Sequence, residues 1–133
     1  MATHRDIVRR WLELWNGKAE ILREIVSETI VTHAVLVGQV TEEPMTGRDA
    51  LGGWIAQTHA AMPNLRFSIE VGPLVDGDLI ALRWRVRGPH GAMRIDFTGT
   101  DILRIEDGRI VEYWVNSDTV LMLQQMEAAS PAR

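Results

Sequence analysis

The chain has 133 residues and a formal net charge of −4, and 46% of its residues are apolar. This length is typical of one domain, and the acidic balance argues against a protein that binds nucleic acid. The sequence has no cysteine, which excludes disulfides, thiolate nucleophiles and thiolate metal sites. We therefore expect one domain over residues 1–133, with a frayed tail over 128–133.

The N-terminal residues carry charges every few positions and lack the apolar core of a signal peptide. No run of about 18 apolar residues occurs, so the sequence predicts no membrane span. The histidines do not have metal-ligand spacing, and there is no phosphate-binding glycine loop or nucleophile elbow. The expectation is a cytoplasmic protein with no metal, no cofactor and no nucleic-acid or membrane partner.

The first half of the sequence predicts three helices and one strand. The first helix begins near Thr3 and ends before Gly17, and its apolar residues recur at helical spacing. A second, shorter helix is predicted over 19–26 and a third over 48–62. Between them, segment 29–40 is rich in β-branched residues and predicts a strand.

The second half consists of segments in which apolar and polar residues alternate. They cover residues 65–71, 79–88, 94–105 and 109–117. Turn sequences such as Asp76-Gly77-Asp78 separate them and predict hairpins. Helices followed by an antiparallel meander predict an α+β fold, with the helices packed on one face of the sheet.

Two polar residues interrupt faces that are otherwise apolar. Alternate residues of a strand share one face, and on this basis Asp101 and His33 both point inward. A buried carboxylate is costly unless it is paired, protonated or beside a wet pocket, so the pKa of Asp101 is expected above its usual value. The structural alternatives are a buried hydrogen bond for Asp101 and a satisfied core histidine for His33. Tyr113 also faces inward, where a core role is more common than a functional one.

The outer face of the predicted sheet carries a large aromatic residue, Trp114. Such a side chain would be left in water in a monomer, so it predicts a homodimer joined through this face. The outward arginines of segment 79–88 can supply contacts across the interface. The alternative is that the C-terminal segment around Met122 and Met126 covers Trp114.

Three segments carry motifs of a known family. Residues 61–65 read A-M-P-N-L where the family has A-F-P-D-L, and residues 81–84 read A-L-R-W where it has A-x-R-W. Residues 99–114 read G-T-D-I-L-R-I-E-D-G-R-I-V-E-Y-W, close to G-I-D-I-x-R-I-x-D-G-K-I-x-E-H-W. These motifs resemble the SnoaL-like polyketide cyclase (ester cyclase) branch of the nuclear-transport-factor-two-like superfamily.

The resemblance implies a cone-shaped fold in which a curved, mixed sheet wraps around three N-terminal helices, a cystatin-like α+β barrel with a deep apolar pocket. Family members include polyketide cyclases, ketosteroid isomerases, dehydratases and epoxide hydrolases, so the fold alone does not settle function. The oxyanion-binding Asp of the isomerases falls on Asp101, and their Tyr falls on Trp11. Their base falls on His33 or Ala34, and the last-strand carboxylate of the cyclases falls on Val115.

The resulting hypothesis is a cofactor-independent cyclase, isomerase or lyase acting on a small apolar carbonyl compound that is polyketide-, steroid- or terpenoid-like. His33 would remove a proton α to the carbonyl, while a neutral Asp101, assisted by Tyr113, would donate a hydrogen bond to the enolate oxygen. The predicted pocket walls are Trp11, Trp15, Trp54, Phe67, Trp84 and Val115. The alternative is a non-catalytic protein of the same fold that binds a hydrophobic ligand or serves as a dimeric scaffold.

Overall fold

The structure is a computed structural model that describes residues 3–91 and 93–128. The helices in these residues are α1 (His4–Trp15), α2 (Leu22–Ile25), α3 (Arg48–Ala61) and α4 (Thr119–Ala128), and a 3-10 turn (Ala19–Ile21) leads into α2. The strands are β1 (Val26–His33), β2 (Met45–Thr46), β3 (Arg66–Asp76), β4 (Leu79–His90), β5 (Met93–Glu106) and β6 (Arg109–Ser117). None of the described helices is long and apolar enough to cross a membrane. The tail predicted over 128–133 lies outside the described residues, except for the last residue of α4.

The six strands form one curved, mixed sheet. Their order is β2-β1-β6-β5-β4-β3, and β1 runs parallel to β6 while the other neighbours are antiparallel. Buried residues of α1, α3 and the inner face of the sheet form one hydrophobic core. The predicted α+β class, with a curved mixed sheet around three N-terminal helices, is confirmed.

Both ends of α1 are fixed by side chains that its sequence supplies. Thr3 and Asp6 form a capping box, in which each side chain accepts a hydrogen bond from the other residue's backbone N–H at 3.1 Å. At the other end, the amide of Asn16 donates to the Phe67 carbonyl at 3.0 Å and accepts from the Phe67 N–H at 2.7 Å. Because β3 is an edge strand, this pairing uses backbone groups of Phe67 and holds α1 across the inner face.

The helix α4, which the sequence patterns did not predict, docks on a free stretch of strand. The strand β5 pairs with β4 along its length but meets β6 only from Gly99 onwards. The amide of Gln125 donates to the Asp96 carbonyl at 2.7 Å and accepts from the Asp96 N–H at 2.9 Å. One side chain of α4 therefore occupies backbone groups of β5 that would otherwise lie on an open edge.

Candidate active site

A cavity of about 440 Å³ lies between the inner face of the sheet and the helices α1, α3 and α4. This volume is in the range of small-molecule sites. The six predicted wall residues all line it: Trp11, Trp15, Trp54, Phe67, Trp84 and Val115. Asp101 and Tyr113 line it as well. The structure thus brings together every residue that the sequence placed in the site except His33.

The aromatic walls pack mainly edge to face. The ring centroids of Trp15 and Trp54 lie 5.2 Å apart, and those of Trp11 and Tyr113 lie 4.8 Å apart. Phe67 contacts Trp15 on one side and Trp84 on the other, at 5.5 and 5.6 Å. Such contacts are favourable beyond the area that they bury, so the walls form a connected shell around the cavity.

Asp101 is buried at the wall of the cavity and accepts three hydrogen bonds. Its Oδ1 accepts from the Trp84 indole N–H at 2.8 Å and from the Tyr113 hydroxyl at 3.3 Å. Its Oδ2 accepts from the Trp11 indole N–H at 3.0 Å. A carboxylate has about four lone-pair directions, so one remains for a ligand.

The register of the sheet places two of these donors, Tyr113 and Trp84, beside Asp101. On β6, Tyr113 shares the inner face with Val115, which pairs directly with Asp101. On β4, Trp84 pairs with Gly99, two residues before Asp101 on the same face. A side chain on Gly99 would overlap the Trp84 ring, so this glycine gives the indole room to lie across β5.

Burial raises the pKa of Asp101 to about 6, while the hydrogen bonds from Trp11, Trp84 and Tyr113 oppose that rise. The predicted direction of the pKa is confirmed. The predicted role as a neutral donor to a ligand stays a prediction, and the three hydrogen bonds that protein groups donate to Asp101 favour its ionised form. At neutral pH the group is a buried carboxylate that accepts hydrogen bonds.

The predicted position of His33 is wrong. The residues of β1 that face the core are Val26, Ile30 and Thr32, each at 0% exposure, and Thr32 pairs with the buried Tyr113 of β6. His33 consequently lies on the outer face of the sheet. Its Nε2 lies 2.7 Å from a carboxylate oxygen of Glu112, and its ring stacks on Trp114 with centroids 5.3 Å apart. It is neither a base in the cavity nor a core histidine.

The cavity is also lined by residues that the sequence analysis did not place in the site. Residues 35–37 follow β1 and line the cavity, whereas the sequence predicted them as part of a strand. Met122 and Met126 of α4 line it from the other side. The sequence signal for this helix was the helical spacing of the two methionines after Asp118. The side chain of Asp118 accepts a hydrogen bond from the Leu121 N–H at 3.2 Å at the start of the helix.

Solved structures similar to this chain include two proteins assigned provisionally as polyketide cyclases. One, from Bacillus cereus, is 28% identical with a TM-score of 0.81, and the match covers 94% of this chain and 80% of that one. The other, IdmH from Streptomyces antibioticus, is 28% identical with a TM-score of 0.79, over 92% of this chain and 97% of that one. A loop-truncated variant of IdmH is 31% identical over 92% of this chain and 98% of its own, with a TM-score of 0.81.

Among curated proteins no relative matches the chain. Residues 8–113 match the family model of the SnoaL-like domain. This range runs from α1 to Tyr113 and therefore contains Asp101 together with all three of its hydrogen-bond donors. By its fold and by this match, the chain belongs to the SnoaL-like domain family.

Proposed function

We propose that this protein is a small-molecule enzyme in which Asp101 is the general base that removes a proton from the carbon next to a carbonyl. The observation that carries the proposal is a carboxylate buried on an apolar cavity and held by three neutral donors. A raised pKa makes this carboxylate a stronger base than an ordinary aspartate while leaving it mostly ionised at neutral pH.

In the first step the proton moves from the substrate carbon to Asp101, and the C–H electrons move onto the carbonyl oxygen to give an enolate. Return of the proton to another carbon is an isomerisation, attack of the enolate on a second carbonyl is a cyclisation, and loss of a β substituent is an elimination. Burial raises the pKa of Tyr113 well above its usual value, so its hydroxyl stays a donor and positions Asp101. Protonated Asp101 then serves as the acid that returns the proton.

The mainly apolar walls support a polyketide-, steroid- or terpenoid-like substrate, and the provisional assignments of the two similar proteins point to the same class. The last-strand carboxylate expected for a cyclase is absent, because Val115 occupies that position beside Asp101. Proton abstraction here therefore depends on one carboxylate rather than two.

Exchange of α-protons for deuterium tests this proposal without knowledge of the natural substrate. NMR in deuterated buffer follows the exchange of a panel of cyclic apolar ketones with the wild type, Asp101→Asn and His33→Gln. We expect the Asp101→Asn variant to lose about 100-fold or more of the exchange rate, as for other general bases. His33→Gln should keep the wild-type rate, because His33 lies on the outer face.

Two results would contradict the proposal. One is loss of exchange in His33→Gln with retention in Asp101→Asn. The other is no exchange above buffer by the wild type for any ketone that is shown to bind. The latter favours a protein that only binds hydrophobic ligands, for which Val115 in place of the expected carboxylate is the supporting observation.

We further propose that the chain forms a homodimer through the outer face of its sheet. An apolar row crosses four strands there, since Leu74 pairs with Ala81, Ala81 with Ile102, and Ile102 with Trp114. Leu74 and Ile102 are 63% and 39% exposed. The alternative cover for Trp114 is not supported, because the α4 methionines line the cavity instead.

Light scattering at micromolar concentration is expected to give twice the 15.0 kDa mass of the chain. Ile102→Lys should yield monomers, because it places a charge in the apolar row. Ala56→Lys is the matched control, since Ala56 is exposed on α3, a helix that packs against the core on the inner face of the sheet. A monomeric wild type would refute the dimer, and an Ile102→Lys variant that stays dimeric would place the interface elsewhere.

A further inference from the structure

The cavity carries a negative charge that no cation balances. Of the described residues that line it, Asp101 alone is charged, and no Lys, Arg or His is among them. Its three hydrogen-bond donors are neutral groups, two indoles and a phenol. Inside a low-dielectric cavity this charge acts on a ligand far more strongly than a surface carboxylate would.

The surrounding walls are also suited to a positive charge. The faces of aromatic rings carry negative electrostatic potential and attract cations, with Trp the most effective. Four tryptophans, Tyr113 and two phenylalanines line the cavity. An anionic ligand would meet both the carboxylate and these ring faces, and no Lys, Arg or His among the described lining residues would balance its charge.

We propose that the cavity selects apolar compounds that carry a tertiary amine or quaternary ammonium group, and that the substrate of Asp101 belongs to this class. The binding preference needs only the ionised carboxylate and the aromatic walls. The statement about the substrate also rests on the proposed function.

Three probes of nearly equal shape isolate the effect of charge. Phenyltrimethylammonium is positive, tert-butylbenzene is neutral, and benzenesulfonate is negative. Quenching of tryptophan fluorescence or calorimetry measures their dissociation constants near neutral pH. We expect the ammonium compound to bind about tenfold or more tightly than tert-butylbenzene, and benzenesulfonate to bind more weakly than either. Equal affinity for the first two probes would overturn the proposal.

Two variants separate the carboxylate from the aromatic walls. Asp101→Asn should remove most of the preference for the cation while leaving the affinity for tert-butylbenzene nearly unchanged, which reports an intact cavity. Trp54→Leu removes one ring that makes no hydrogen bond to Asp101 and should reduce the preference in part. A preference that survives in Asp101→Asn would show that the carboxylate does not select charge.

The pH dependence gives an independent readout, because phenyltrimethylammonium itself does not titrate. Its affinity should rise as the pH increases through about 6, where Asp101 ionises. Trp11 of α1, Trp84 of β4 and Val115 of β6 face Asp101 and do not titrate in this range. Tyr113, whose pKa is raised well above its usual value, is the other titratable group in contact with it among the described residues. A flat profile for the cation would contradict the proposal.

The exchange assay keeps this inference apart from the proposed function. Exchange that depends on Asp101, with no preference for the cation, refutes the inference and leaves the general base in place. A cation preference that depends on Asp101, without exchange of any ketone that binds, supports the inference as a binding property and refutes the general base.

Discussion

Replacing Gly99 by Ala is expected to lower the free energy of unfolding by about 4 kcal/mol, the sum of two effects. Gly99 pairs with Trp84, and an added methyl group would overlap the six-membered ring of the indole. Overpacking of this kind costs about 1–3 kcal/mol. The displaced ring also loses its hydrogen bond to the Asp101 carboxylate, now 2.8 Å long, which costs about 1.5–3 kcal/mol. Urea denaturation at neutral pH measures the change.

Gly53→Ala is the matched control for the same chemical change. Gly53 lies within α3, and a Cβ added there would meet nothing within 4 Å. Alanine is favoured over glycine inside a helix, so this variant should be more stable than the wild type by up to about 1 kcal/mol. If both variants have similar stability, the close approach of Trp84 to Gly99 is not a constraint on the fold.

The sequence predicted the inner face of the last three strands because their alternation is regular and short turns join them. The strands β4 and β5 keep one register along their length, and β5 and β6 keep one register from Gly99 to Arg104. A one-residue error in register would expose the whole apolar set. The alternation therefore predicted that Asp101 and Tyr113 lie on the inner face, and both residues are buried in the structure. Their mutual hydrogen bond is a property of the register between β5 and β6 and could not be read from either strand alone.

The same reasoning failed at His33 for a physical reason. The apolar residues Val31, Val35 and Val37 alternate with period two and suggested that His33 shares their face. The strand β1 ends at His33, however, and residues 35–37 belong to the following loop. Within β1 the buried residues are Val26, Ile30 and Thr32, which share one face, so His33 lies on the other face.

The helix α4 was not predicted, because its position depends on contacts that form only in the assembled sheet. Its first residues include exposed Val120 and Leu121, so its apolar side chains do not form one clear stripe. What fixes it is the pair of hydrogen bonds between Gln125 and the backbone of Asp96. This interaction exists because β6 leaves part of β5 unpaired, which is a feature of the assembled sheet rather than of any local segment.

The difference in unfolding free energy between the wild type and Asp101→Asn is expected to change by about 2 kcal/mol between pH 4 and pH 7.5, and the wild type becomes less stable relative to the variant as the pH rises. The pKa of Asp101 is about 6 in the folded protein and 3.8 for the group in its reference state. The folded state therefore binds this proton more tightly than the unfolded state. The stability that this proton contributes is fully present below the pKa of Asp101 in the unfolded state. It is lost as the pH rises through about 6, the pKa of Asp101 in the folded state.

Urea denaturation of both proteins across this pH range measures the difference, and other titrating groups cancel because they are common to both. Asp96→Asn is the control of opposite sign, since hydrogen bonding and ion pairing with Arg85 lower the pKa of Asp96. The wild-type advantage over that variant should grow as the pH rises from acid values, although the exposed site makes the effect smaller. A difference for Asp101→Asn that stays flat or grows with pH would mean that ionisation of Asp101 does not oppose folding. In that case burial would not raise the pKa of Asp101. Asp101 would then lack the raised basicity that the proposed proton abstraction requires.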